Sequence, residues 1–598
     1  MRTRRFLLLP LLTLACSHTP APAETSVADP TAAVRKLADA HAEGMLRLDP
    51  LLATMVGDHR YDDRLPDTLT DSGLAAIRKL NEDTRAELAR IPRAALKGED
   101  GLTWDVLDDM SQTALEGLAF GDELMPLDQN NAIAIQMPVL GSGAGMHPFQ
   151  TVADYDHFLG RLAAFDQWVN TAMSNMRRGM TAGFTQPRVV IERAIPQLEA
   201  QIVDAPEKSA FWGPIARMPS GFSAADRERL TAAYRKTISE TLVPAYRRLR
   251  DFARDTYLPA CRTSTAVEAL PNGTARYAYQ VRAQTTTTLT PHQIHELGLS
   301  EVKRISAEIE RIARTQGFQG TAAEYIAMLR KNPPNPAHTE AELLGQYQAF
   351  KTTVEPRLPT LFGRLPKADF EVRLIEAYRE ASASSQYTPA TLDGSRAGVF
   401  YVNASELKHR PIPASAGLFL HEALPGHHFQ IALTNENSAL PLLRRIPQYN
   451  AYIEGWALYV ERLGGPLGLY KTPQLTAAGL AGELLRAVRL VADTGLHHEG
   501  LSREKAVRYG IETLGFSPVS VEREVDRYIG SPAQALGYKL GQLSILGVRE
   551  KAEAALGPRF DLRAFHDAVL ESGPLPLRLF EAKMAAWTAE RSRVAQRQ

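Results

Sequence analysis

The chain has 598 residues, with 68 Lys plus Arg against 68 Asp plus Glu, so its formal net charge is zero. Apolar residues make up 44% and charged residues 23%, an ordinary globular balance that argues against a nucleic-acid-binding face or a polybasic membrane surface. Two cysteines, Cys16 and Cys261, make neither a disulfide framework nor a thiolate zinc site.

The first residues read as an address. Arg2, Arg4 and Arg5 precede the apolar run Phe6–Ala15, which is too short to cross a bilayer, a task for about 20 apolar residues. This is the charged-then-apolar pattern of a secretory leader, residues 1–15. Thr13-Leu14-Ala15-Cys16 resembles a bacterial lipobox, which makes Cys16 the candidate lipidation site. Ser17 stands where an Asp would favour retention in the inner membrane. The expectation is therefore an exported outer-membrane lipoprotein facing the periplasm, with a secreted form as the alternative. Its membrane contact is expected through the lipid only. Residues 16–32, rich in Pro, Ala, Ser and Thr, read as a flexible tether.

Beyond the tether, helical periodicity dominates. Tyr155, Phe158, Leu162, Phe165, Val169, Met173 and Met176 recur at spacings of three and four. Leu230, Tyr234, Ile238, Leu242, Tyr246, Leu249 and Phe252 do the same behind a Ser223-x-x-Asp226 start, and Pro244 predicts a kink there. Thr290-Pro291 opens a helix carrying Val302, Ile305, Ile309 and Ile312, which stops at Gly317. Strand patterns are few: Tyr277, Tyr279 and Val281 after an Asn272-Gly273 turn, then Phe370, Val372 and Leu374, then Gly398–Asn403. No nucleotide-binding glycine loop and no G-x-S-x-G elbow is present. The expected fold is mainly α, a large helical protein with one small sheet.

The chemistry concentrates in residues 414–433, ASAGLFLHEALPGHHFQIAL. His421-Glu422 has the first half of the H-E-x-x-H zinc helix, whose ligands four apart share one face about 6 Å apart. Position 425 is proline, and His427, six residues on, would point ~120° away in an unbroken helix. His428 would face correctly but lie about 10.5 Å along the axis. Pro425 and Gly426 break regular helix, so a bulge can swing a histidine back. His427 is favoured as the second ligand, with His428 kept as a residue supporting the site or touching substrate. The competing reading is a Pro-Gly helix end with two surface histidines.

Downstream, YNAYIEGWALYVERLG places Glu454 on an apolar helix, where a carboxylate is costly unless paired or metal-bound. Two histidines and one carboxylate leave an open position, the pattern of catalytic zinc, with Glu422 as general base. Asn403, at the end of the short strand, is a candidate for binding substrate backbone at a sheet edge. Arg489 and Lys539 could meet a substrate carboxylate, against a reading as helix-surface charge.

The runs HEALPGHHFQ, EGWALY, RLVADTGLHHEG and SPAQALGYKLG, with GVFYVN upstream, together resemble the bacterial family known as domain of unknown function 885. That family is placed with gluzincin-type zinc metallopeptidases as candidate peptidases, often lipoproteins. The resemblance runs from about Val34 to near the C-terminus. It implies a deep cleft, Zn2+ on His421, His427 and Glu454, and Glu422 as base. It also implies His497 and Tyr538 as hydrogen-bond donors to the oxyanion. Asp493, four residues before His497, is placed to orient it across one helical turn, or to orient a metal-bound histidine from behind. The chain then divides into leader (1–15), tether (16–32), an N-terminal helical half (33–368) and a C-terminal zinc-peptidase-like half (369–598). The expected function is zinc-dependent hydrolysis of short or unfolded peptides. The alternatives are a metal-free binding or scaffold lipoprotein, or a zinc amidase acting on cell-wall fragments.

Overall fold

A computed structural model describes residues 29–376, 384–409, 411–446 and 448–596, with side chains to residue 593. The leader, Cys16 and most of the tether lie outside the described residues. The fold is mainly α with a single three-stranded sheet among the described residues. The first helix begins at Pro30, capped by Asp29, whose carboxylate accepts the Thr31 and Ala32 N–H groups. The last three residues assigned to the tether are therefore already helical.

The capping residues read from the sequence act as expected. Thr290 and Gln293 form a reciprocal capping box at the start of Pro291–Thr315. Ser223 accepts the Asp226 N–H at the start of Ala224–Thr237. Pro244 is accommodated by a wide turn. Residues Ile238–Leu242 are π-helical, the Val243 N–H bonds the Ile238 carbonyl, and Pro244 follows at the next helix start. All seven apolar residues of that stripe are buried. Each such side chain contributes about 1.5–3 kcal/mol by leaving water.

The strand expected at Tyr277–Val281 is instead helix Gly273–Thr285. Asn272, at φ 54, starts the helix rather than a hairpin, and the buried positions Gly273, Tyr277, Val281 and Thr285 repeat every four residues. The other two strands are present. β1 (Phe370–Leu374) runs parallel to β3 (Gly398–Val402), with Phe370 opposite Gly398. β2 (Gln386–Thr388) pairs antiparallel on β3's other side, so β3 is central and buried throughout.

The apolar core does not divide at residue 368. Val34, Ala38 and Leu107 share one core with Phe400, Phe419, Trp456 and Phe580. A second core, from Leu69 to Tyr257, lies within the N-terminal part. No described helix is long and apolar enough to cross a membrane.

Candidate metal centre

Helix Ala416–Glu422 is capped by Ser415, whose hydroxyl accepts the Leu418 N–H, and it ends on the His-Glu pair. The chain then turns and a new helix, His427–Glu436, begins. Gly426 makes this turn possible. A Cβ there would lie 1.9 Å from the His421 carbonyl oxygen and 2.3 Å from that of Leu420, so only glycine fits against the helix end. The Trp456 indole N–H donates to the Pro425 carbonyl at 2.9 Å and pins the turn from the facing helix. The break brings the His421 and His427 rings to 4.8 Å between centroids.

His428 points elsewhere. Its Nε2 donates to the Ala368 carbonyl at 3.2 Å and its Nδ1 accepts the Tyr387 hydroxyl at 2.9 Å. Burial holds its pKa at about 4, so it is neutral.

Helix Asn450–Glu461 carries Glu454 to the two histidines. Its Oε2 lies 3.2 Å from His421 Nε2 and 3.3 Å from His427 Nε2. These three side chains are the one group among the described residues placed to share an ion, with all donor atoms within 4.8 Å of one another. A tetrahedral ion with bonds of about 2.0–2.1 Å spaces its donors about 3.3 Å apart, which the two distances to Glu454 match.

The protonation pattern admits the same ion. The Nδ1–H of His421 donates to Glu461 at 3.0 Å, so its Nε2 is left as a lone pair unless a cation intervenes. Facing a carboxylate oxygen at 3.2 Å, that nitrogen needs a proton or a metal ion between them. Without metal, a proton serves. Burial opposes charge on His421, but its hydrogen bonds to Glu454 and Glu461 outweigh burial and raise its pKa to about 9. Burial likewise opposes charge on Glu454, and His427 and His421 nevertheless hold it well below the usual carboxylate range. The residues therefore suit a divalent cation in their chemistry and in their two distances to Glu454, with the histidine nitrogens within 4.8 Å of each other.

Glu422, beside the cluster, accepts the Tyr387 backbone N–H from β2 at 2.8 Å. Burial raises its pKa, with His421 and His427 opposing. Tyr538 stacks over the His421 ring at 6.0 Å and 12°. It is delivered by a close helix crossing, where a Cβ on Gly541 would sit 1.8 Å from the Ala451 carbonyl oxygen and one on Gly455 2.4 Å from Gly541. Burial, then the Glu454 charge, raise the Tyr538 pKa, so its hydroxyl stays a donor. His421, Glu422, His427, Glu454 and Tyr538 all line one cavity of about 1860 Å³.

The remaining sequence candidates are placed elsewhere. His497 is fully buried, its Nδ1 accepting the Val267 N–H at 3.2 Å and its Nε2 donating to the Tyr528 carbonyl at 3.0 Å. With both nitrogens committed it has no donor left for an oxyanion. Asp493 does not orient it. That carboxylate accepts the Tyr277 hydroxyl at 2.7 Å and the Ala533 N–H, and burial pushes its pKa to about 7. Asn403 follows the central strand rather than an edge, and its side-chain oxygen accepts the Ser405 N–H at 2.8 Å in a turn. Arg489 and Lys539 are neither surface charge nor open anchors. Arg489 pairs with Glu524 at 2.9 Å, and Lys539 is buried between Glu483 (2.6 Å) and Glu301 (2.8 Å). Cys261 is a half-buried free thiol, pushed up to about 12 by burial.

Sequence reasoning missed two parts of the site. Glu461 lies seven residues after Glu454, two turns along the same helical face, and a second acid in so apolar a stripe was the available indication. Arg486 holds it in turn at 3.3 Å. Tyr387, which touches both Glu422 and His428, carried no local pattern at all.

Comparison with known proteins places the chain. It matches a family described as "Bacterial protein of unknown function (DUF885)" over residues 50–584. No curated protein matches it significantly. Among solved structures, a "putative lipoprotein from Colwellia psychrerythraea" is 28% identical with a TM-score of 0.84, covering 94% of this chain and 100% of that one. A "putative lipoprotein of unknown function from Shewanella oneidensis" is 18% identical with a TM-score of 0.67, covering 92% and 99%, and shares the fold. With the family match extending over most of its length, the chain belongs to the bacterial family DUF885.

Proposed function

We propose that this protein is a zinc-dependent hydrolase of peptide bonds in short or unfolded chains, exported and tethered through a lipid on Cys16. The observation that carries the reading is the convergence of His421, His427 and Glu454 beside a buried Glu422 on one cavity wall. His421, His427 and Glu454 would hold the zinc, and Glu461 fixes the tautomer and orientation of His421. Zinc, when bound, supplies a Lewis acid that polarises the scissile carbonyl. Glu422, held by the Tyr387 N–H, takes the proton of the attacking water and returns it to the leaving amine. The Tyr538 hydroxyl donates to the oxygen that gains charge in the transition state.

The cavity, at about 1860 Å³, exceeds the ~300–1,000 Å³ of a small-ligand pocket, giving room for an extended segment but not a folded domain. Ser384–Thr388, which include the edge strand β2, line it. Export and lipidation are supported by the lipobox-like run and by the lipoprotein descriptions of both structural neighbours.

Protein expressed without its leader should carry one zinc per chain by elemental analysis, and His421→Ala or Glu454→Ala should lose it. Glu422→Gln should keep the zinc while losing about 10²–10⁴-fold in rate on a peptide-library digest. Equal metal content in His421→Ala, or full activity in Glu422→Gln, overturns the reading.

A further inference from the structure

The break after Glu422 leaves His427 and His428 facing different ways, and the second of them is tied to the sheet. His428 Nε2 meets the Ala368 carbonyl at 3.2 Å. A carbonyl only accepts, so Nε2 carries the ring proton and Nδ1 is left to accept the Tyr387 hydroxyl at 2.9 Å. Burial raises the Tyr387 pKa, so the hydroxyl remains a donor. The backbone N–H of the same tyrosine donates to Glu422 Oε2 at 2.8 Å. Tyr387 thus joins Glu422, the last residue of one helix, to His428 in the first turn of the next.

The sheet is shaped to let the tyrosine reach. Tyr387 is opposite Phe400 and Gly398 is opposite Phe370, so these residues lie on one face. The ring crosses β3 over Gly398, where a Cβ would sit 2.1 Å from the hydroxyl oxygen and 2.8 Å from Cζ. Beyond it, Phe370 packs on the His428 ring with centroids 4.6 Å apart. β2 is only three residues long and pairs on one side, so it has few ladder bonds of its own to hold it. The hydroxyl adds a tie to the helix.

Glu422 depends on that tie. Its carboxylate can turn about its side-chain bonds unless a partner holds it, and β2 supplies the partner for Oε2. Oε1 accepts no hydrogen bond among the described residues, and Glu422 lines the cavity. We propose that Tyr387 and His428 are positioning residues for Glu422: the hydrogen bond between them fixes β2, whose N–H pins one carboxylate oxygen and leaves the other to take the proton of the attacking water. This role rests on the hydrolase reading. It gives the two histidines after the break separate tasks, His427 on the metal and His428 on the base.

Four variants of the leaderless chain separate the parts. Tyr387→Phe removes the hydroxyl alone, and Gly398→Ala displaces the ring without removing a group. His428→Leu removes the acceptor, and His428→Asn returns an oxygen near the place of Nδ1. Amide hydrogen exchange by mass spectrometry, fragmented to single residues, reads the Tyr387 N–H with and without chelator. It should exchange roughly 5–10-fold faster in Tyr387→Phe, Gly398→Ala and His428→Leu, with the amides of β1 unchanged. Turnover is measured on an internally quenched form of the peptide that the wild type cleaves fastest in the library digest. In the same three variants kcat should fall ~10-fold with KM and zinc content unchanged. His428→Asn should keep more protection and more kcat than His428→Leu. Wild-type exchange at Tyr387 in Tyr387→Phe or Gly398→Ala overturns the proposal, as does wild-type kcat in a variant whose Tyr387 amide has loosened. Zinc lost in step with kcat overturns it in favour of a support for the ligand His427. A wild type that cleaves no library peptide refutes the hydrolase reading, while exchange still decides whether the tyrosine–histidine bond holds β2 against Glu422.

Discussion

Gly426→Ala is the sharpest test of how the proposed metal cluster is built. The added Cβ would lie 1.9 Å from the His421 carbonyl oxygen and 2.3 Å from that of Leu420, both backbone atoms, and Cβ atoms essentially never come closer than 3.0 Å. The turn must therefore give by about 1 Å, several times the ~0.2 Å within which zinc ligands are held. Because His427 is the next residue, the displacement falls on a proposed ligand. Zinc affinity should drop by more than the ~10–100-fold typical of losing an outer hydrogen bond, or upwards of ~2.7 kcal/mol. The fold should survive, since overpacking of this kind costs ~1–3 kcal/mol. Competition against a chromophoric chelator measures the affinity, and thermal unfolding checks the fold. Gly345→Ala is the control, because a Cβ there meets nothing within 4 Å. Wild-type zinc affinity in a folded Gly426→Ala would refute the idea that this turn positions His427.

Glu461→Gln removes the charge that receives the His421 Nδ1–H and should weaken zinc binding by about 10–100-fold in the same competition assay. Tyr538→Phe should lower kcat by ~10²-fold with KM little changed if its hydroxyl meets the transition state; as a merely structural residue it would cost only ~1 kcal/mol of stability. Acid should destabilise the fold through buried histidines outside the proposed metal cluster. Burial holds His41, His147, His497 and His566 at about 4, below the usual 6.5. The unfolded chain therefore binds more protons, and stability present above pH 6.5 is lost as pH falls towards 4, on the order of 2–3 kcal/mol for each histidine. Urea unfolding with chelator present, at pH 7 and pH 4.5, reads this directly, and equal stabilities would refute it.

Patterns that close within a turn or two of helix were legible in the residues. Thr290 and Ser223 capped the helices they were expected to cap, and the stripe from Tyr155 to Met176 faces the core. The Pro425-Gly426 break was legible too, because both residues interrupt helix for reasons local to their own backbone. The alternation at Tyr277–Val281 misled for the complementary reason. A short apolar pattern fits either period, and packing on Leu536 and Leu540 settled it as helix.

What no local pattern contained was the pairing of groups far apart in the chain. Arg489 and Lys539 look like ordinary helix charges until Glu524, Glu483 and Glu301 are brought against them. Glu461 becomes part of the site only when its helix packs across His421, 40 residues upstream. His497 has the residue type of a catalytic donor, yet Val267 and Tyr528 claim both its nitrogens. Propensity, capping and periodicity act over a few residues and are written in their order. The partner of a buried charge is chosen by which helix faces can approach closely enough to exclude water, as the small residues at Gly455 and Gly541 allow here, and that choice belongs to the packed molecule.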